Sequence, residues 1–308
     1  MSLDLLSLNR PLVFDGAMGT MLLSSGLSIG ECPELWNLTK ADVIIEVSES
    51  FVKSGANIIQ TNTFGANRKK LANYGLEDKV NDINKAAVRN AKKAANSRAK
   101  IAVSIGPTGE VLQPWGNFKF DRAVNVFTEQ IRAALSEEPD ILLIETMSQL
   151  AEARAALLAA KSLSNIPVIV TMTFEENGRT TFGSSPEAVA VTLNAMGADV
   201  IGVNCVGDFD LLLDIVKRMA YSIGKPVLAQ PNAGIPKIID GKPVYTISPK
   251  VFAEKALSII KAGAGLIGGC CGSTPLHISE LSKSAKKTPF PIINQSNIIA
   301  LASNFDAL

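Results

Sequence analysis

Eight short apolar runs alternate with longer stretches of helical period, and each run ends in a polar or glycine-rich turn; this pattern predicts an α/β fold, a closed (β/α)8 barrel of the TIM type. The runs are 12–14, 57–61, 101–105, 141–144, 168–172, 200–203, 227–229 and 265–267. Amphipathic spacing predicts helices over 41–54, 78–95, 123–135, 151–163 and 249–262. A doubly wound sheet is the competing arrangement. No Gly-x-Gly-x-x-Gly follows an early run, and Gly16-Ala17-Met18-Gly19-Thr20 lacks that spacing. The barrel is expected over 1–287, with 288–308 as a C-terminal tail or strap.

Composition sets the frame for partners. A chain of 308 residues, 47% hydrophobic and 19% charged, buries a large core. With 30 Lys and Arg against 29 Asp and Glu, the net charge is +1, so no global field recruits nucleic acid or an anionic membrane. The first residues lack a basic segment followed by an apolar one, and no uninterrupted apolar stretch of about 18 residues occurs. Four cysteines without a disulfide-like framework fit a reducing, cytoplasmic compartment.

Barrels of this kind carry their chemistry at the C-terminal ends of the strands. Here those ends read Asp15-Gly16-Ala17, Thr61-Asn62-Thr63, Gly106-Pro107-Thr108, Glu145-Thr146, Thr173-Phe174-Glu175, Asn204-Cys205, Gln230-Pro231-Asn232 and Gly268-Gly269-Cys270-Cys271-Gly272. Cys205 follows the sixth run and the Cys270–Cys271 pair the eighth, so barrel closure brings three thiols to one rim. A buried small hydrophobe is the ordinary reading of one cysteine. An adjacent pair on a glycine-flanked turn is not a packing requirement, and thiolates suit zinc, with three protein ligands leaving a position open for substrate. Cys32, as a fourth ligand to an iron–sulfur cluster, is the competing metal reading. It lies in Gly-Glu-Cys-Pro-Glu, away from any glycine-rich strand end, and reads as a loop thiol without a role.

The ordered set of motifs resembles the homocysteine S-methyltransferase family, and within it the homocysteine-binding barrels of cobalamin-dependent methionine synthases. The motifs are Asp15-Gly-Ala-Met-Gly-Thr, Thr61-Asn-Thr-Phe-Gly-Ala, Gly-Pro-Thr-Gly, Gly202-Val-Asn-Cys, Pro231-Asn-Ala-Gly and Gly268-Gly-Cys-Cys-Gly, and the likeness covers about residues 10 to 285. The resemblance implies that Cys205, Cys270 and Cys271 bind zinc, with Asn232 in the fourth position before substrate arrives. It implies homocysteine as substrate, a methyl group as cargo and methionine as product.

At the amino-acid end of that substrate, Asp15 and Glu145 are the carboxylates expected to hold the ammonium group. The N–H groups of Gly16 and Ala17 are expected to receive the carboxylate as an anion nest. Thr63, Thr146 and Asn204 complete the expected contacts. His277, the sole histidine, lies in a helix-like segment and reads as a surface or cap residue.

A methyl-corrinoid is the donor the motif wording favours. The Asp-x-His-x-x-Gly signature of corrinoid-carrying domains is absent, so a separate corrinoid protein or further modules of a longer protein are expected to supply it. S-methylmethionine, S-adenosylmethionine and betaine are the alternative donors. Two other classes remain: a barrel binding a sugar phosphate at Gly268-Gly269, and a non-catalytic zinc-binding barrel.

Overall fold

The computed structural model describes residues 9–239, 242–293 and 302–307. Eight parallel strands form one sheet: β1 (Leu12–Val13), β2 (Ile58–Gln60), β3 (Lys100–Ile105), β4 (Ile141–Met147), β5 (Val168–Met172), β6 (Val200–Asn204), β7 (Val227–Gln230) and, after a hairpin of β8 (Lys237–Ile239) and β9 (Lys242–Val244), β10 (Ala264–Ile267). Their order is β1-β10-β7-β6-β5-β4-β3-β2. A bridge between Phe14 and Ile58 joins the two ends, with Asn57 N donating to Val13 O (2.7 Å) and Asp15 N to Ile58 O (3.0 Å). The expected (β/α)8 barrel is therefore the observed fold.

Strand alternation explains what fills it. Phe14, Ile58, Ala102, Ile141, Leu143, Ile169, Val200, Leu228 and Leu266 pack together as one cluster. Their neighbours Leu142, Ile144, Val168 and Val170 belong to the larger core under the helices. Since side chains alternate between faces, the first set fills the barrel and the second faces outward. Two residues further along each strand, the same inward face carries Gly16, Gln60, Ser104, Glu145, Thr171 and Gln230. An apolar plug is thus roofed by a polar layer.

The five expected helices form with small changes at their ends, and others that periodicity had not marked out are set by their caps. Asp208 caps the helix Phe209–Ile223, its Oδ1 accepting from Asp210 N and Leu211 N, and Gly224 ends it with φ 62°. Ser185 and Ser248 cap the helices Pro186–Ala195 and Pro249–Ala262, each with proline in the first turn. His277 caps the helix Pro275–Ala285, its Nδ1 2.9 Å from Thr274 Oγ1 and its Nε2 2.9 Å from Ile247 O. It is a cap and it is buried, so the surface half of the expectation is corrected: the ring fills space against Phe252.

Within the expected tail, Phe290 N donates to Asn9 O (3.2 Å), and Arg179 Nη2 pairs with Asp306 Oδ1 at 2.8 Å. Residues 294–301 and 308 of that segment lie outside the described residues. Among the described residues no helix is long and apolar enough to cross a membrane.

Candidate active site

The C-terminal strand ends surround a cavity of about 380 Å³. Gly16 and Ala17 line it from β1, Gln60 to Phe64 from β2, Ser104 from β3, Glu145 and Thr146 from β4, Cys205 from β6, Gln230 from β7, and Gly269 to Cys271 from β10. Every barrel strand but β5 contributes, so no local segment contains the site.

In its wall the three thiols converge. Their Sγ atoms lie within 4.8 Å of one another, and Cys205 Sγ is 3.9 Å from Cys271 Sγ. Backbone bonds fix the loops that carry them: Cys205 N donates to Gln230 O (3.1 Å), Cys270 N to Pro231 O (2.7 Å) and Ala233 N to Cys271 O (2.8 Å). The strand between, β7, is the brace for both. Gly272 follows with φ 79°, and the Tyr245 ring, returning from the β8–β9 hairpin, packs directly on it. Only glycine allows that approach.

The three thiols differ in acidity because each bonds the others. Hydrogen bonds from Cys205 and Cys270, together with one from Tyr245, hold Cys271 down to about 3. Cys270 rises well above the ordinary thiol value through its bonds to Cys205 and Cys271 and through burial. For Cys205, a bond from Cys270 acts downward, but the bond to Cys271 and burial push it up to about 12. A cluster that already stabilises one thiolate is a soft, anionic seat.

Asn232 is buried beside Cys205, and its Oδ1 has no hydrogen-bond partner among the described residues. Its buried oxygen is an acceptor without a partner. Three clustered thiols are a donor set that fits zinc. Among the described residues, Cys32 does not join this group. It is buried, and its Sγ faces Glu34 Oε2 at 3.4 Å.

The same rim carries two buried carboxylates, Glu145 in the cavity wall and Asp15 outside it. Glu145, 7% exposed, accepts from Ser104 Oγ through Oε1 and from Asn204 Nδ2 through Oε2 (3.4 Å). Burial raises it to about 7, the Ser104 bond opposing. Asp15, 1% exposed, is also pushed up to about 7 by burial, opposed by Gln60, whose N and Nε2 donate to it at 2.7 and 3.1 Å. The groups acting on these two carboxyls include no cationic side chain. An ammonium group is what this environment lacks.

The other expected contacts divide. Gly16, Ala17, Thr63 and Thr146 line the cavity, but Ala17 N already donates to Ser273 O (3.1 Å) and Thr63 Oγ1 to Ser104 O (2.7 Å). Asp15, Asn204 and Asn232 are not part of the cavity wall. The Asn204 amide is committed inside the protein, accepting from Thr146 N and Thr171 Oγ1 and donating to Thr146 Oγ1 and Glu145 Oε2. Sequence reasoning missed Ser104, Gln230 and Glu34, all in the wall. The period-two parity that places Glu145 inside also places Ser104 and Gln230 there, and would have found them. No such signal marks Glu34, which reaches the wall from a short 3-10 helix, Pro33–Leu35, its Oε1 accepting from Gly65 N at 2.7 Å.

A closed parallel barrel whose rim cavity is lined by three clustered thiols and a buried carboxylate defines the class by its fold and its site. The family model for homocysteine S-methyltransferase matches residues 12–285. The chain belongs to the homocysteine S-methyltransferase family. It is 30% identical over 307 residues to the methionine synthase of Mycobacterium tuberculosis, covering 94% of this chain and 26% of that protein, and 30% identical over 296 residues to the methionine synthase of Mycobacterium leprae, covering 90% and 24%. It thus spans about a quarter of the length of these curated relatives. In fold it is similar to the homocysteine methyltransferase MmuM from Escherichia coli in its metallated form, with a TM-score of 0.77 at 22% identity over 91% of this chain and 98% of that one.

Proposed function

We propose that the chain transfers a methyl group to the sulfur of homocysteine, giving methionine. One observation carries the reading: the wall of a single cavity holds both a three-thiol seat and an uncompensated buried carboxylate, Glu145. Homocysteine matches both groups, with a thiol at one end of a short methylene chain and an ammonium group at the other.

Cys205, Cys270 and Cys271 hold zinc in this reading, with Asn232 beside them. Bound zinc supplies a Lewis acid that favours the thiolate form of a thiol near neutral pH. The rest falls to the chain itself. Glu145, oriented by Ser104 and Asn204, holds the ammonium group and so aligns the substrate's length with the cavity. The Gly16 turn faces the carboxylate end, and Asp15 fixes that turn to β2 through Gln60. In the transfer a sulfur–carbon bond forms, the donor–methyl bond breaks, and the thiol proton has left beforehand; no general base acts on the methyl group.

The donor we assign is a methyl-corrinoid brought by a separate protein or domain, a reading supported by the likeness to methionine synthases. A reducing, cytoplasmic setting follows from the need for free thiols. The test is the absorbance of methylcobalamin mixed with homocysteine and zinc-loaded protein. Homocysteine-dependent demethylation that vanishes in Cys270→Ala supports both substrate and donor. Turnover with a sulfonium or betaine but with no methylated corrinoid, free or protein-bound, sinks the corrinoid assignment and keeps the thiol chemistry; turnover with none of these donors sinks the reading.

A further inference from the structure

β4 contains an irregularity at its catalytic end. Ile144 pairs with Val170 of β5, yet the next matched pair is Met147 with Met172, so three steps on β4 oppose two on β5. The extra residue falls at Glu145–Thr146, and Thr146 sits at φ 59°, in the left-handed region. A bulge there re-aims a side chain, and its left-handed residue is ordinarily glycine. Threonine, branched at Cβ, resists that conformation and persists in it only where the surroundings enforce it.

One side chain two strands away supplies the shorter bonds, with Thr171 Oγ1 also accepting from Thr146 N at 3.4 Å. Asn204, at the end of β6 and fully buried, accepts from Thr146 N at 3.0 Å and donates to Thr146 Oγ1 at 2.7 Å. Its remaining capacity goes to Thr171 Oγ1 (2.9 Å) and Glu145 Oε2 (3.4 Å). Two donors and two acceptor sites are therefore all engaged within the protein. No capacity remains for a substrate, although the Gly-Val-Asn-Cys motif places the residue next to Cys205.

We propose that Asn204 is a positioning residue that locks the β4 bulge, holding Thr146 in its left-handed conformation so that Glu145 points into the cavity. The inference rests on the reading of Glu145 as the ammonium contact. Its distinctive consequence is background dependence. Glycine at 146 adopts the bulge conformation freely, so the lock becomes dispensable there.

The experiment is a double-mutant cycle on homocysteine affinity, measured by calorimetry on zinc-loaded protein, with zinc content determined for every variant. Asn204→Ala is expected to weaken homocysteine binding by about tenfold, or about 1.4 kcal/mol, with zinc retained. In the Thr146→Gly background, which sets its own baseline, the same change is expected to cost less than about threefold. In the Thr146→Ala background, which still requires the left-handed conformation, the cost returns to about tenfold. Equal losses in all three backgrounds, or no loss with Thr146 present, overturn the proposal. Asn204→Ser serves if the alanine variant does not fold, because its hydroxyl is too short to span to Thr146. Hydrogen exchange at the Thr146 amide separates this proposal from the functional reading: exchange that is slow in the parent protein and fast in Asn204→Ala supports the lock even if homocysteine does not bind, and unchanged exchange rejects it.

Discussion

Cys205 Sγ and Cys271 Sγ stand 3.9 Å apart although 66 positions separate them in the chain. Two strand ends deliver them, braced by the strand between, and neither loop holds the seat alone. The three-thiol seat is therefore a property of the closed barrel. Replacing Cys205, Cys270 or Cys271 singly with alanine is expected to lower zinc from about one per chain to below about a tenth, since two thiols make a poor site. Elemental analysis after dialysis reads this; retention of full zinc by all three variants would remove the metal assignment.

Glu145 predicts a pH dependence with a definite sign. Burial raises it to about 7 in the free protein, so below that pH it holds a proton. An incoming ammonium favours the ionised form, so binding expels that proton. Homocysteine affinity is expected to rise with pH through about 7, where the contribution of Glu145 levels off, while loss of the substrate's thiol proton continues to favour binding above it. Glu145→Gln is expected to flatten this profile and weaken binding by about 1.5–3 kcal/mol, the worth of a hydrogen bond to a charged group, with zinc unchanged. Loss of zinc in that variant instead would show a structural role.

Asp15 predicts how the stability of the metal-free protein varies with pH. Its folded value of about 7 lies above the ordinary 3.8, so between these limits the folded state binds more protons than the unfolded one. Stability is thus expected to fall as pH rises from about 3.8 to about 7, and the full penalty is present above that window. Asp15→Asn keeps an acceptor for Gln60 N and removes this contribution. Urea titrations across the window are expected to give a shallower decline for the variant; parallel curves would contradict the account.

Gly272 predicts a steric failure. At φ 79° it tolerates no side chain easily, and an added Cβ meets the Tyr245 ring. Gly272→Ala is expected to destabilise the protein by about 1–3 kcal/mol and to weaken zinc binding by displacing Cys271. Adding Tyr245→Gly, which removes both the ring and the Cβ that would lie 2.6 Å away, relieves the steric part, so a partial recovery of the thermal midpoint is expected. Full recovery would mean that the backbone conformation costs nothing.

The sequence by itself determined the barrel, because eight apolar runs separated by amphipathic stretches have one economical way to bury both faces of a parallel sheet. It also marked Cys205, Cys270, Cys271 and Glu145, because chemistry in such a barrel falls where the runs end. Tertiary structure alone decided which end groups remain available. Asp15 and Asn204 carry the right chemistry at the right positions, yet their polar atoms are taken by Gln60 and by Thr146, Thr171 and Glu145. The Glu34 wall and the left-handed Thr146 were equally illegible, since each depends on partners far along the chain. Periodicity encodes which face a residue occupies; the hydrogen bonds it makes there are fixed only when closure brings the other strands within reach.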